Sequence, residues 1–446
     1  MKFIAAGLPI LLATTASFAA DLNKVSIAGP GYALSATEGV AAFSMPATDA
    51  GVGASGSGSF EPGSSTFATG LQGGISGSVD IGKAGDASFS LGFNAFSTLA
   101  SGSSLSTDSF TGAGTVVIPG YTTPAGSIAL TTNNTPKSTA AVAGTGSLDQ
   151  SASVTGGGGG TADGFGYIPG ANSFSMIDAS HSATTGASYG AIATSAGGIF
   201  VGTGDLTGLK VTTTNTQSIV YNGADISFAA TANPVEGMVL QGYVGPSYRF
   251  LSQRNTSSIT ASIPAQTAAV SGLVLPNYSD NRTEDLTTNY LGALAGLNLT
   301  TKVANGVNVT VGGQAGIYHL RTGYSGSETF AIGGGSGTAG TTVLPLATQT
   351  VANANTISGA ADGTAYSASL NGAVTIALSN RMQLTFGGTA EYLSAVPVLH
   401  HNTTVSTVSG SGGANTTYSG ASTQNPLLAF ADMWDYGLTA SLTGQF

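Results

Sequence analysis

The chain has 446 residues, yet only 7% are charged, against about 25% in an ordinary soluble domain. Its 11 basic residues face 21 acidic ones, a net charge of −10 that excludes nucleic acid as a partner. With no cysteine it has no disulfide and no thiol chemistry, so hydrogen bonds and packing must hold the fold.

The N-terminus carries Lys2, an apolar run and Ser17-Phe18-Ala19, the pattern of a secretory signal peptide cut after Ala19. Cleavage there leaves 10 basic against 21 acidic residues, a mature charge of −11. No later stretch approaches the roughly 20 continuous apolar residues of a membrane helix, so any membrane residence must use strands.

Residues 20–65 are expected to hold a first strand and a plug or loop segment. The best first-strand candidate is 22–34, LNKVSIAGPGYAL, with Pro30 counting against it. From residue 66 onward a barrel is expected, because apolar residues take alternate positions, the period of a strand. Leu71, Ile75, Val79 and Ile81 oppose Gln72, Ser76, Ser78 and Asp80; after GKAGD, Phe89, Leu91, Phe93 and Leu99 oppose Ser88, Ser90, Asn94 and Thr98. Residues 102–216 read as a long insertion, with short strands at GTVVIPGY and GSIAL. A hairpin at ASYGAIATSAGGIFVGTG would raise the wall from ten strands to twelve.

The paired pattern then repeats. Ile226 and Phe228 alternate with Asp225 and Ser227, and after the turn Leu240, Val244 and Tyr248 alternate with Gln241, Tyr243, Ser247 and Arg249. Leu291, Leu297 and Leu299 alternate with Tyr290 and Asn298; Val307, Val309, Val311 and Ile317 with Asn308, Thr310, Gln314 and Tyr318. Tyr366, Leu370, Val374 and Ile376 alternate with Ser369, Asn371 and Thr375, and Met382, Leu384 and Phe386 with Gln383, Thr385 and Glu391.

Each pair is a hairpin whose tight turn falls near 84, 234, 304 or 380, while long Gly/Ser/Thr/Asn-rich stretches at about 254–287, 325–363 and 401–426 separate the pairs. Short turns at one end and long loops at the other is the asymmetry of an outer-membrane barrel. A soluble β-sandwich shares the alternation. Against it, the polar column is almost free of charge and the apolar column of these segments holds no Asp, Glu, Lys or Arg. A Lys or Arg there would cost about 2–4 kcal/mol at the bilayer midplane.

The chain closes on DYGLTASLTGQF, with Tyr436, Leu438, Ala440, Leu442, Gly444 and Phe446 on one face. With the signal peptide and the paired strands, this ending resembles that of Gram-negative outer-membrane β-barrel proteins, although Gly444 departs from the bulkier residue usual there. The resemblance implies an all-β, transmembrane, antiparallel up-and-down barrel of 10–12 strands with short periplasmic turns and long extracellular loops. It implies localisation in the bacterial outer membrane, outer-membrane lipid as surround, the barrel-assembly machinery as partner in biogenesis, and homo-oligomers as a possible assembly. Trp434 and Tyr436 are expected at the outer aromatic girdle and Phe446, the end of the assembly signal, at the periplasmic one.

The column facing the lumen gives the pore-lining candidates: Gln72, Asn94, Asp225, Gln241, Tyr243, Arg249, Asn298, Asn308, Gln314, Asn371, Gln383 and Glu391. No ring of like charge can be assembled from them, so a porin-like passive channel would favour small neutral or weakly selected solutes. In the alternative, the lumen is plugged by its own side chains or by residues 40–65, and the barrel anchors long Ser/Thr/Gly-rich loops of a surface structural or adhesive protein.

No catalytic set, metal site or cofactor is expected. His181, His319, His400 and His401 lack the spacing of a metal site, with the last two read as solvent-facing loop histidines. The glycines of 156–160 lack the Lys-Ser/Thr of a phosphate loop. Asp280, Glu284 and Asp285 in NYSDNRTED read as a solvated loop tip rather than a weak calcium site.

Overall fold

The computed structural model describes residues 32–45, 51–56, 66–124, 126–133, 144–145, 149–155, 160–168, 173–181, 186–263, 278–332, 338–339, 342–343, 349–409 and 416–445. Ten strands form one closed antiparallel barrel: β1 (Tyr32–Met45), β2 (Thr66–Ala84), β3 (Ala87–Ser109), β4 (Lys210–Val235), β5 (Met238–Ser262), β6 (Tyr278–Ala304), β7 (Val307–Ile332), β8 (Gln349–Ala377), β9 (Met382–Thr404) and β10 (Thr423–Gln445). Neighbours in sequence pair around the ring, and β1 closes it on β10 with Val40 opposite Leu438.

At one end the hairpins turn in a few residues. Asn305-Gly306 is a strong short-hairpin signal because such turns require a left-handed backbone, and Gly306 has φ +74°. The side chains alternate as the sequence predicts, with an unexpected result for length. β8 runs 29 residues, roughly 65 Å along the barrel axis at a 45° tilt. The outward apolar stretch on the same strand, Tyr366 to Ile376, covers only about 23 Å. Much of what composition marks as loop therefore continues the strands: β5 runs to Ser262, β6 starts at Tyr278, β7 runs to Ile332 and β8 starts at Gln349. Thr and Ser at alternate positions suit a wall with one face buried and one wet.

Two further expectations need correction. The first described strand is Tyr32–Met45, so residues 40–45 are wall and not plug, while 22–31 of the expected first strand lie outside the described residues. Residues 1–31, including the expected signal peptide, lie outside the described residues, as does Phe446. The hairpin in the insertion does form, as Gly186–Thr194 paired with Gly197–Asp205, but it lies in a separate seven-stranded sheet and the wall stays at ten strands. Its residues are buried on both faces, which fits a sheet enclosed by the barrel better than a strand facing outside.

That sheet caps the loop end. Pairing between β8 and β9 stops at Ser367 and Leu393, and pairing between β1 and β10 stops at Ser44 and Trp434. Beyond those points β3–β8 continue as a curved wall while β9 and β10 continue as a separate hairpin. The inserted sheet packs against the inner face of the wall. Val116, Ile118, Tyr189, Phe200 and Leu206 from the insertion form one buried cluster with Val211, Ile259, Tyr278 and Phe330. Phe200 and Tyr278 meet at 4.5 Å between ring centroids. The short strands expected at GTVVIPGY and GSIAL appear as Ala113–Pro119 and Ile128–Asn133.

Candidate functional site

The barrel interior is where chemistry could be held. All twelve pore-lining candidates lie on the inward face of their strands, opposite in parity to exposed residues such as Leu71, Phe93, Ile226, Leu297, Val311, Leu370 and Phe386. They meet side chains from other strands. Arg249 Nη1 donates to Asp225 Oδ1 at 2.6 Å, and its Nε lies 3.8 Å from Glu391. Asn94 Nδ2 donates to Asp225 at 3.3 Å, and Ser247 Oγ donates to the same carboxylate at 2.6 Å. Nearer the turn end, Asn298 donates to Gln241 at 3.3 Å and the Tyr243 hydroxyl donates to Gln314 at 3.1 Å. Asn308, Gln314 and Asn371 are half-buried, while Gln72 and Gln383 are almost fully buried at 2% and 1% exposure.

Several inward glycines are covered by aromatic side chains. A Cβ on Gly223 would stand 2.1 Å from the Phe96 ring, one on Gly296 2.3 Å from the Tyr243 hydroxyl, and one on Gly316 2.8 Å from Tyr318. Phe96 and Tyr243 reach their glycines from the neighbouring strand, a packing device, while Tyr318 covers Gly316 from two residues along its own strand.

Toward the loop end an apolar belt crosses the lumen. Phe43, Ala68, Phe96, Tyr221, Leu251, Tyr290, Tyr318, Ala365, Leu393 and Met433 belong to one buried cluster to which all ten strands contribute. Tyr221 joins belt to ion network by donating its hydroxyl to Glu391 at 3.0 Å. The aromatics of this belt have no sequence signal beyond inward parity, since period alone cannot say how far a side chain reaches across a lumen.

A second polar group sits where cap meets wall. Asp280, Arg282 and Glu284 occupy alternate positions of β6 and so share its inner face; they are 1–3% exposed. The expectation of a solvated acidic loop is thus overturned for these two acids, whereas Asp285 points outward and pairs with Arg254 at 3.4 Å. His401 is also buried, 2.9 Å from Glu284 through Nε2, while His400, the next residue along the strand, is exposed. The D-x-R-x-E alternation was the sequence signal that could have found this cluster. Glu328 lies 3.6 Å from Arg282 Nε, and Arg282 also pairs with Asp280. The cap enters through residues 119–121: Arg282 Nη2 donates to the Pro119 carbonyl at 2.8 Å, and the Tyr121 amide donates to Glu328 at 3.0 Å. Burial pushes the Asp280 carboxyl up to about 8, helped by the neighbouring Glu328 and opposed by Arg282. Burial also raises Glu284, but hydrogen bonds from His401 and Tyr121 outweigh it and hold that carboxylate below its usual range. No group of three or more His, Cys, Asp or Glu suited to a metal occurs among the described residues.

Outside, Trp434, Tyr436, Leu438, Ala440 and Leu442 all face away from the barrel, with Trp434 and Tyr436 stacked at 6.2 Å and Tyr392 beside them at 5.3 Å. The expected girdle residues are therefore gathered on one outer face. At the turn end Phe89 and Phe228 stack at 5.8 Å.

No protein family and no curated protein sequence matches the chain. Among solved structures it is similar to a Pseudomonas aeruginosa FadL homologue at 6% identity and TM-score 0.20, covering 93% of this chain and 90% of that one. It is also similar to the outer membrane protease OmpT from Escherichia coli at 8% identity and TM-score 0.24, with 94% and 97% covered. The Pseudomonas putida toluene transporter TodX gives 8% identity, TM-score 0.22, and 95% and 91% covered. TM-scores this low carry no argument about activity. The strand pairing stands by itself: a closed, ten-stranded, antiparallel up-and-down barrel with an apolar outer face, short turns and long strand extensions, the architecture of an outer-membrane β-barrel.

Proposed function

We propose that this chain is an outer-membrane protein whose barrel is a sealed anchor, holding a folded β-cap and its Ser/Thr/Gly-rich loops at the cell surface. One observation carries the reading: the apolar belt receives a buried side chain from every strand, as a lumen filled with side chains at that level requires. Membrane residence is supported by the outward band of Leu, Ile, Val and Phe. These side chains are 40–70% exposed on most strands, and such an area would not stay in water on a monomer.

A passive channel for small neutral solutes is the second reading, favoured by the twelve uncharged or charge-compensated polar groups inside. For it to operate the belt and the cap must both part. Liposome swelling separates the two. Vesicles containing the protein should swell in a small neutral sugar no faster than protein-free vesicles; swelling that rises with protein content would favour the channel.

A further inference from the structure

The loop end leaves one strand with an open edge. β8 pairs with β7 without interruption from Asn355 to Ile376, but with β9 only from Ser367 onward. Among the described residues no strand pairs with the other edge of residues 355–366. The Tyr366 amide shows which way that edge points: it donates across the gap to Ser394 Oγ at 2.8 Å, a side chain standing where a neighbouring strand's carbonyl would be. Backbone groups of a strand alternate in direction, so Thr356, Ser358, Ala360, Asp362 and Thr364 turn their amides and carbonyls the same way as Tyr366. Their side chains are exposed on the outer face.

β9 does not return to this edge. Its bulge between Leu393 and Val396 turns it inward, where Gln253 Nε2 on β5 donates to the Pro397 carbonyl at 3.1 Å and His401 meets Glu284 on β6. The open edge also lacks the devices that keep strand edges single. Residues 355–366 hold no Pro, no Lys and no bulge, and their one charge, Asp362, is already paired with Arg321 at 4.0 Å. Unpaired backbone cannot face lipid, and these residues lie beyond Tyr366, past the row of Tyr392 and Trp434 that bounds the apolar band.

We infer that this edge takes up an extended segment of another protein as an added strand; the inference deepens the anchor reading above and rests on it for the placement at the cell surface. The recognition is by main chain, with amides and carbonyls of the incoming segment pairing with those of Thr356 to Thr364. The inner face adds a side-chain preference. Ile357, Gly359, Ala361 and Gly363 are half-buried, and Tyr324 lies over Gly359, 2.5 Å from where a Cβ would stand. Small residues beside an aromatic leave room for bulky apolar side chains at alternate positions of the partner, with polar ones outward. A second copy of the chain does not fit. Two barrels inserted the same way are related by an axis along the membrane normal, and strands tilted about 45° would then cross at about 90° instead of pairing.

The test uses a fluorescein-labelled peptide that alternates Val and Thr over the length of residues 356–364, and the same peptide N-methylated throughout. Both are titrated onto the folded protein in detergent. The plain peptide should bind saturably and the N-methylated one several-fold more weakly. Ala360→Pro removes an amide aimed into the gap and no bond to β7, so it should weaken plain-peptide binding several-fold while heat-modifiable mobility shows the barrel folded. No saturable binding, equal binding of the two peptides, or undiminished binding by folded Ala360→Pro would overturn the inference. If that variant does not fold, the comparison of the two peptides decides alone. Binding by the purified protein but not by intact cells would support the open edge and count against its placement at the cell surface.

Discussion

The Tyr121 hydroxyl donates to Glu284 Oε1 at 2.6 Å, joining the cap to the inner wall across 163 residues of sequence. The Glu284 carboxylate also takes His401 Nε2 at 2.9 Å, so one buried acid on β6 binds both the cap and the β9–β10 hairpin. The three parts of the loop end are thereby held together although the closed ring has ended below them.

Removing this junction should loosen the cap without unfolding the barrel. Tyr121→Phe deletes one hydrogen bond to a charged group, expected to weaken docking by about 1.5–3 kcal/mol. Arg282→Met leaves Glu328 buried without its cation and takes a hydrogen-bond donor from Asp280, expected to cost about 3–5 kcal/mol. Limited proteolysis of residues 113–205 should accelerate in both variants, more in the second, while the barrel keeps its heat-modifiable mobility.

The junction should also respond to pH. Asp280 is raised from an unfolded value of 3.8 to about 8, so the folded state binds the extra proton between those values and stability falls as pH rises through that window. Glu284 acts oppositely: lowered in the fold, it contributes above its unfolded value of 4.5 and that contribution is lost as pH falls through the lower folded one. With Arg282, Glu328, Tyr121 and His401 facing them, cap protection from protease should be greatest near about pH 4–5 and decline toward about pH 8. Asp280→Asn should flatten the decline above about pH 5.

Ala395 has φ +57° in the β9 bulge between Leu393 and Val396, where the Tyr290 hydroxyl donates to its carbonyl at 3.3 Å. A left-handed alanine costs about 1–2 kcal/mol, and glycine removes that cost while adding about 0.5–1 kcal/mol of chain entropy. Ala395→Gly should therefore stabilise the barrel by about 0.5–1 kcal/mol in denaturant unfolding, whereas Ala395→Val should destabilise it.

Much of this was legible in the sequence because a strand writes its two faces in alternate residues. All twelve lumen candidates and the Trp434–Leu442 outer face follow from parity alone. Strand ends were not legible: Ser, Thr and Gly-rich stretches look like loops by composition, and only burial on one face shows that residues 251–262 or 278–289 are wall. The cap hairpin 186–205 was visible as a hairpin, but membership of wall or cap depends on partners far away in sequence.

The outer face makes its own prediction. If Trp434 and Tyr436 anchor β10 at one interface, replacing either by Ser should slow barrel insertion, and replacing both should slow it more strongly. The fraction of heat-modifiable barrel in the outer membrane measures both.

The central claim, that the lumen is sealed, is tested most directly by single-channel recording in a planar bilayer. The account predicts no conductance steps from the intact chain, and steps appearing when the belt is opened by Phe96→Ala with Tyr221→Ala and Tyr318→Ala. Reproducible steps from the unmodified protein would contradict it.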